Sequence, residues 1–133
     1  MKHMFTLLLL MLLAAACRKS DNIVSDKNNY LLGCWVGPVY ADSLVTFTRA
    51  QTLPDDGYGI VFQSDQQFIE RKNAGWCGTP PITYANYTGN WTLTDSIVDI
   101  SVPYWGGSAD YRWKLLSVDA HTLRVYTIAA EYQ

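Results

Sequence analysis

Few residues in this chain could do acid–base or nucleophilic chemistry. Past residue 16 there is one histidine, His121. A serine or cysteine nucleophile needs a histidine beside it in a pocket. His121 follows Val118-Asp119-Ala120, a turn-like stretch, and reads as a solvated surface residue. Asp55-Asp56 before Gly57 offers oxygen ligands, but no Asp/Glu series with calcium-loop spacing follows, so it reads as a polar turn. Cys34 and Cys77 lie far apart with no second histidine in the domain, which does not make a tetrahedral metal set. No glycine-rich phosphate cradle is present. An enzyme is therefore not expected, and neither is a metal or a cofactor. Glu70 is a charged side chain that alternation turns inward, onto the face of Phe68. It reads as a polar handle in a cavity, with a place at a rim or a tyrosine partner as the alternative.

The elements that position these residues come after an export signal. The chain has 133 residues and a net charge of -2. Residues 1–16 carry Lys2 and an apolar run from Phe5 to Ala16. Twelve helical residues reach only ~18 Å, short of a ~30 Å bilayer core, so the run reads as a removable signal peptide. Residues 17–28 are polar and read as a tether, and residues 29–133 as one folded domain. The domain has six Lys/Arg against ten Asp/Glu, which lacks the basic footprint of a nucleic-acid partner.

Ala14-Ala15-Ala16 before Cys17 resembles the lipobox of bacterial lipoproteins. The resemblance implies cleavage after Ala16 and lipidation of Cys17, hence a membrane tether. Plain secretion is the alternative. Residue 18 is Arg, where Asp would signal inner-membrane retention in Gram-negative bacteria, so the outer membrane is expected, on either face. Export to an oxidising compartment makes a Cys34–Cys77 disulfide the default. Two independent buried thiols are the alternative. A loop that long would stabilise the fold by roughly 4 kcal/mol if closed.

Period-2 alternation dominates the domain and predicts strands near 32–39, 44–50, 58–63, 67–72, 86–94, 97–102, 109–116 and 122–129. Turn formers separate them. Register follows from alternation, because a one-residue slip turns every side chain over. Leu93 should face Val98, Trp91 should face Ile100, and Val98 and Ile100 should then face Trp113 and Tyr111. Asp99 falls opposite Arg112 on the wet face, and Phe62 shares a face with Phe68. Eight short antiparallel strands on short links predict an all-β, eight-stranded, antiparallel up-and-down barrel, which removes exposed edges.

Several segments carry a family resemblance. Leu31-Leu32-Gly33-Cys34-Trp35 looks like the G-x-W start of the lipocalin first strand. Phe62-Gln63-Ser64-Asp65-Gln66-Gln67-Phe68 looks like the F-x-S-D-G-x-F hairpin of bacterial lipocalin-like lipoproteins, with Gln66 in the place of Gly. Tyr87-Thr88-Gly89-Asn90-Trp91-Thr92-Leu93 resembles their Y-x-G-x-W-x-L strand, and residues 115–123 resemble the closing hairpin. The chain thus resembles a bacterial lipocalin-like lipoprotein. This implies a barrel of a kind that can enclose a cavity, and no single activity. Lipocalins also set a basic side chain over the first-strand Trp; alternation turns Arg124 outward and away from that role.

Two readings of the aromatic content follow. Five Trp and nine Tyr fall within the domain. In the first, Trp35, Phe62, Phe68, Glu70, Tyr87, Trp91, Tyr111 and Trp113 line a cavity for a small apolar ligand in a membrane-anchored monomer. In the second, these rings fill the barrel, which at eight strands is only just wide enough for side chains. The protein would then be an interaction or cell-envelope accessory protein. Its contacts with a protein or glycan would come from Trp76, Pro80 and Pro81 in the long loop at residues 73–85, and from Tyr104 and Trp105.

Overall fold

The computed structural model describes residues 30–76 and 78–133. The expected signal peptide, the expected tether with its lipidation at Cys17, and Cys77 lie outside the described residues. The described chain is all-β, with eight antiparallel strands: β1 (Gly33–Ala41), β2 (Leu44–Ala50), β3 (Gly59–Phe62), β4 (Gln67–Asn73), β5 (Tyr84–Thr94), β6 (Ile97–Tyr104), β7 (Gly107–Val118) and β8 (Thr122–Tyr132). No helix among the described residues is long and apolar enough to cross a membrane.

The strands close into a barrel in the order β1-β2-β8-β7-β6-β5-β4-β3. From β3 to β8 each strand pairs with its sequence neighbour. The departure from a strict up-and-down order lies at β1 and β2: β1 pairs with β3, and β2 pairs with β8. The link at residues 51–58 makes this possible by crossing outside β1. A Cβ on Gly59 would lie 2.6 Å from Leu53 Cδ2 and 3.1 Å from Val36 Cγ1, which places Leu53 against the wall there. β3 has four residues, so the crossing link leaves little length for pairing.

The hairpin registers match the alternation. Leu93 faces Val98 and Trp91 faces Ile100. Val98 faces Trp113, Ile100 faces Tyr111, and Asp99 faces Arg112. The Arg112 guanidinium donates to both Asp99 carboxylate oxygens, at 2.7 and 3.1 Å. Phe62 faces Phe68 across the hairpin at residues 64–66. Gln66 adopts the left-handed conformation there, with φ 65°. Gly89 marks a close approach of β5 to β6: a Cβ there would sit 2.0 Å from the Ser101 carbonyl oxygen.

Antiparallel order gives the barrel two distinct ends. The base holds the start of β1, the end of β2 and the β3–β4, β5–β6 and β7–β8 turns. The mouth holds the β1–β2, β4–β5 and β6–β7 connections and the chain's last residues. Leu31 is fully buried in the core, and its carbonyl accepts from Trp35 Nε1 at 2.8 Å, so the entering chain covers the base.

Cys34 is a free thiol, not half of the expected disulfide with Cys77. It aligns with Val61 of β3, and through it with Ile69 of β4. Burial pushes the Cys34 thiol above its usual pKa, with Arg49 opposing.

Candidate functional site

Alternation along β4 turns Phe68, Glu70 and Lys72 into the barrel. Glu70 is 3% exposed. A buried carboxylate requires partners, and Glu70 draws them from three strands. Tyr58, beside β3, donates to its Oε1 at 2.8 Å. Tyr111, on β7, donates to Oε1 at 3.3 Å and Oε2 at 3.2 Å. Lys72 Nζ lies 2.6 Å from Oε2. That ammonium also sits over three rings, with centroids at 5.3 Å for Tyr87, 5.9 Å for Tyr104 and 6.0 Å for Tyr111.

This polar centre lies at the mouth end of the core. Burial is the main cause that pushes the Tyr58 hydroxyl well above the usual phenol pKa, followed by the Glu70 charge. Tyr111 moves the same way, through burial, then Glu70 and Tyr132. Both therefore stay protonated and act as hydrogen-bond donors at neutral pH. They serve a carboxylate that Lys72 also holds, so the polar groups inside the barrel satisfy one another.

Toward the base the barrel holds packed rings. Phe62 meets Phe68 at 5.1 Å and Trp91 at 5.2 Å, both edge to face. Tyr111 stacks on Trp113 at 5.9 Å, and Trp113 meets Phe47 at 6.1 Å. Trp35 lies under the guanidinium of Arg49. Trp35, Phe62 and Phe68 are almost fully buried, as are Ile60, Val98, Val102, Leu123 and Val125 around them. All eight residues expected to face a cavity do face the interior: Trp35, Phe62, Phe68, Glu70, Tyr87, Trp91, Tyr111 and Trp113. They pack against one another and their neighbours.

The expected docking residues collect at the mouth. Trp76 is exposed in the β4–β5 loop, as are Pro80 and Pro81, which share a cis peptide bond. Tyr104 and Trp105 meet edge to face at 5.7 Å, and Tyr104 meets Tyr132 in the same way at 5.6 Å. Tyr40, Tyr58, Lys72, Arg49 and Tyr132 were not among the expected site residues. Lys72 and Arg49 carried a usable signal, since each stands two residues beyond an inward-facing side chain, Glu70 and Phe47.

A groove of about 450 Å³ lies on the outer wall across β5–β8, lined by Asn90, Thr92, Asp99, Ser101, Asp110 and Arg112 among others. It is open to solvent and follows the curvature of the sheet. Its Asp99 and Arg112 charges pair with each other. Among the described residues no three His, Cys, Asp or Glu side chains gather into a metal-binding group. No protein-family model, curated protein or solved structure matches the chain.

Proposed function

We propose that this chain is an exported, lipid-anchored envelope protein whose barrel is a solid scaffold for a binding surface at its mouth. One observation carries the reading. Aromatic side chains inside the barrel are buried against each other, whereas the aromatic rings at the mouth are open to solvent. A container for a small apolar ligand needs a cavity of a few hundred Å³ lined by such rings. The interior rings here already have protein partners, which favours docking over enclosure. The resemblance to bacterial lipocalin-like lipoproteins, the lipobox-like Ala14-Ala15-Ala16-Cys17 and the polar tether support the anchored placement.

Two measurements test this. Tryptophan fluorescence of the purified protein is titrated with palmitate, a quinone and haem; no saturable quenching is expected. Saturable quenching by any of them, retained in Trp105→Ala, restores the container reading. Partner capture from envelope extracts is then compared for the native chain, Trp76→Ala and Trp105→Ala. Loss of the captured partner in at least one variant is expected, and unchanged capture in both rejects the mouth as the docking surface.

A further inference from the structure

We infer that the mouth is a saccharide-binding platform, in which Tyr40, Trp105 and Tyr132 present rings and hydroxyls to the face of a neutral sugar. The inference deepens the binding-module reading and rests on it.

The rings are exposed and held. Tyr40 is 66% exposed, Tyr132 63% and Trp105 53%. Exposed rings that swing freely lose entropy on binding, but these are braced. Tyr104 contacts Trp105 and Tyr132 edge to face, with interplanar angles of 89° and 85°. Tyr132 also packs on Tyr111, at 6.2 Å. The C-terminal strand is tied down next to them, because Ser108 and Gln133 exchange backbone hydrogen bonds at 2.9 and 3.1 Å. A pre-ordered platform reduces the ordering cost of binding.

Charge selects the class of ligand. The cation nearest the mouth, Lys72, is bound to Glu70 and covered by Tyr87, Tyr104 and Tyr111. It is not free to hold a phosphate or a carboxylate. The cage that its rings form is already filled, so an external cation has no place there either. Asp42, on the β1–β2 connection at the mouth, repels anions. What remains is a neutral molecule with apolar C–H faces for the rings and hydroxyls for the phenol oxygens, which is the chemistry of a pyranose. A bilayer also suits Tyr and Trp, but peripheral binding draws on free Lys or Arg side chains facing the headgroups, and Lys72 is taken by Glu70.

The test uses the full-length lipidated chain in detergent. Cellohexaose, chitohexaose, maltohexaose and mannohexaose are titrated by calorimetry and tryptophan fluorescence, with hexagalacturonate as the charged comparison. Saturable binding of at least one neutral hexasaccharide is expected, with weaker or no binding of hexagalacturonate. Trp105→Ala and Tyr132→Ala should each weaken it by about tenfold. Tyr126→Ala, an exposed tyrosine on the outer wall, should leave it unchanged. Thermal unfolding of each variant shows that it folds. Absence of saturable binding by all four neutral sugars overturns the inference, as does equal affinity in Trp105→Ala. A photo-crosslinking residue at position 105 separates the two levels. A specific protein adduct there, with no sugar binding, overturns the saccharide and leaves the binding-module reading standing. No adduct and no sugar binding overturn both.

Discussion

Arg49 lies over Trp35 at the base of the barrel, with its guanidinium carbon 4.1 Å from the ring centroid. The same guanidinium donates to the Leu32 carbonyl at 2.9 Å and to the Tyr30 carbonyl. One side chain on β2 thus clamps the first strand and the segment that enters it. The basic side chain over the first-strand Trp, a place that alternation denies to Arg124, comes from Arg49 on β2.

Arg49→Met should lower stability by about 1–3 kcal/mol, because the cation–π contact and two hydrogen bonds to backbone carbonyls are lost. Arg49→Lys should recover only part of this, since a single ammonium cannot reach both carbonyls and also stack on the ring. Urea denaturation of the three proteins measures it. Equal midpoints for Met and Arg at position 49 would remove the clamp from the account.

Glu70→Gln and Lys72→Met should each cost about 3–5 kcal/mol, the usual penalty for stranding one member of a buried ion pair. The double variant should be more stable than the sum of the single effects indicates, because neither charge is left alone. Denaturation of all four proteins closes the cycle. Additive losses would mean that the pair contributes nothing as a pair.

Alkaline stability carries the sign of the tyrosine shifts. Burial, with the Glu70 charge next, raises Tyr58 and Tyr111 above the phenol value of about 10 that they regain on unfolding. Above that pH the unfolded chain releases protons that the folded chain keeps. Their contribution is therefore complete below about pH 10 and is lost as pH rises beyond it. Tyr40 adds in the same direction, through burial, then Glu70 and Tyr132. Denaturation midpoints should be flat on the tyrosine account below pH 10 and fall above it, less steeply in Tyr111→Phe. A parallel fall in both proteins would contradict the assignment to Tyr111.

Two backbone positions should respond in opposite directions. Gln66 holds a left-handed turn conformation that disfavours a side chain, so Gln66→Gly should stabilise by about 0.5–1 kcal/mol, net of the entropy that glycine adds to the unfolded chain. Gly89→Ala should destabilise by about 1–3 kcal/mol, because its Cβ meets the Ser101 carbonyl and the Val102 Cα, which are backbone atoms with little room to move. Thermal melts of the two variants check both signs, and a shift of Gln66→Gly to lower temperature would count against strain at that turn.

Much of the barrel was legible because hairpins are local. Between Phe62 and Trp113 each turn fixes the register of the strands it joins, and alternation then says which side chains face in. Glu70 was found inward on that ground alone. A tyrosine partner was one of the expected alternatives, and Tyr58 lies within reach of hairpin logic because it precedes β3, which shares a turn with β4; Tyr111 does not, because closure of the barrel rather than a turn brings β7 near β4. The Cys34–Cys77 expectation failed for a related reason. Cysteine parity and compartment say that a bridge is favoured, but they carry no information about how the barrel wall buries the Cys34 thiol.

Taken by itself, the order of residues determined the strands, the inner and outer faces and the pairings across short turns, since each depends on neighbours only a few positions away. The tertiary structure alone decided that β1 joins β3 while β2 joins β8, that the interior rings pack against one another, and that Tyr40, Trp105 and Tyr132 stay open at the mouth. Those outcomes depend on how a curved sheet meets its own far edge. That is set by the four-residue length of β3, by the link that crosses β1, and by side-chain volumes summed around the whole ring.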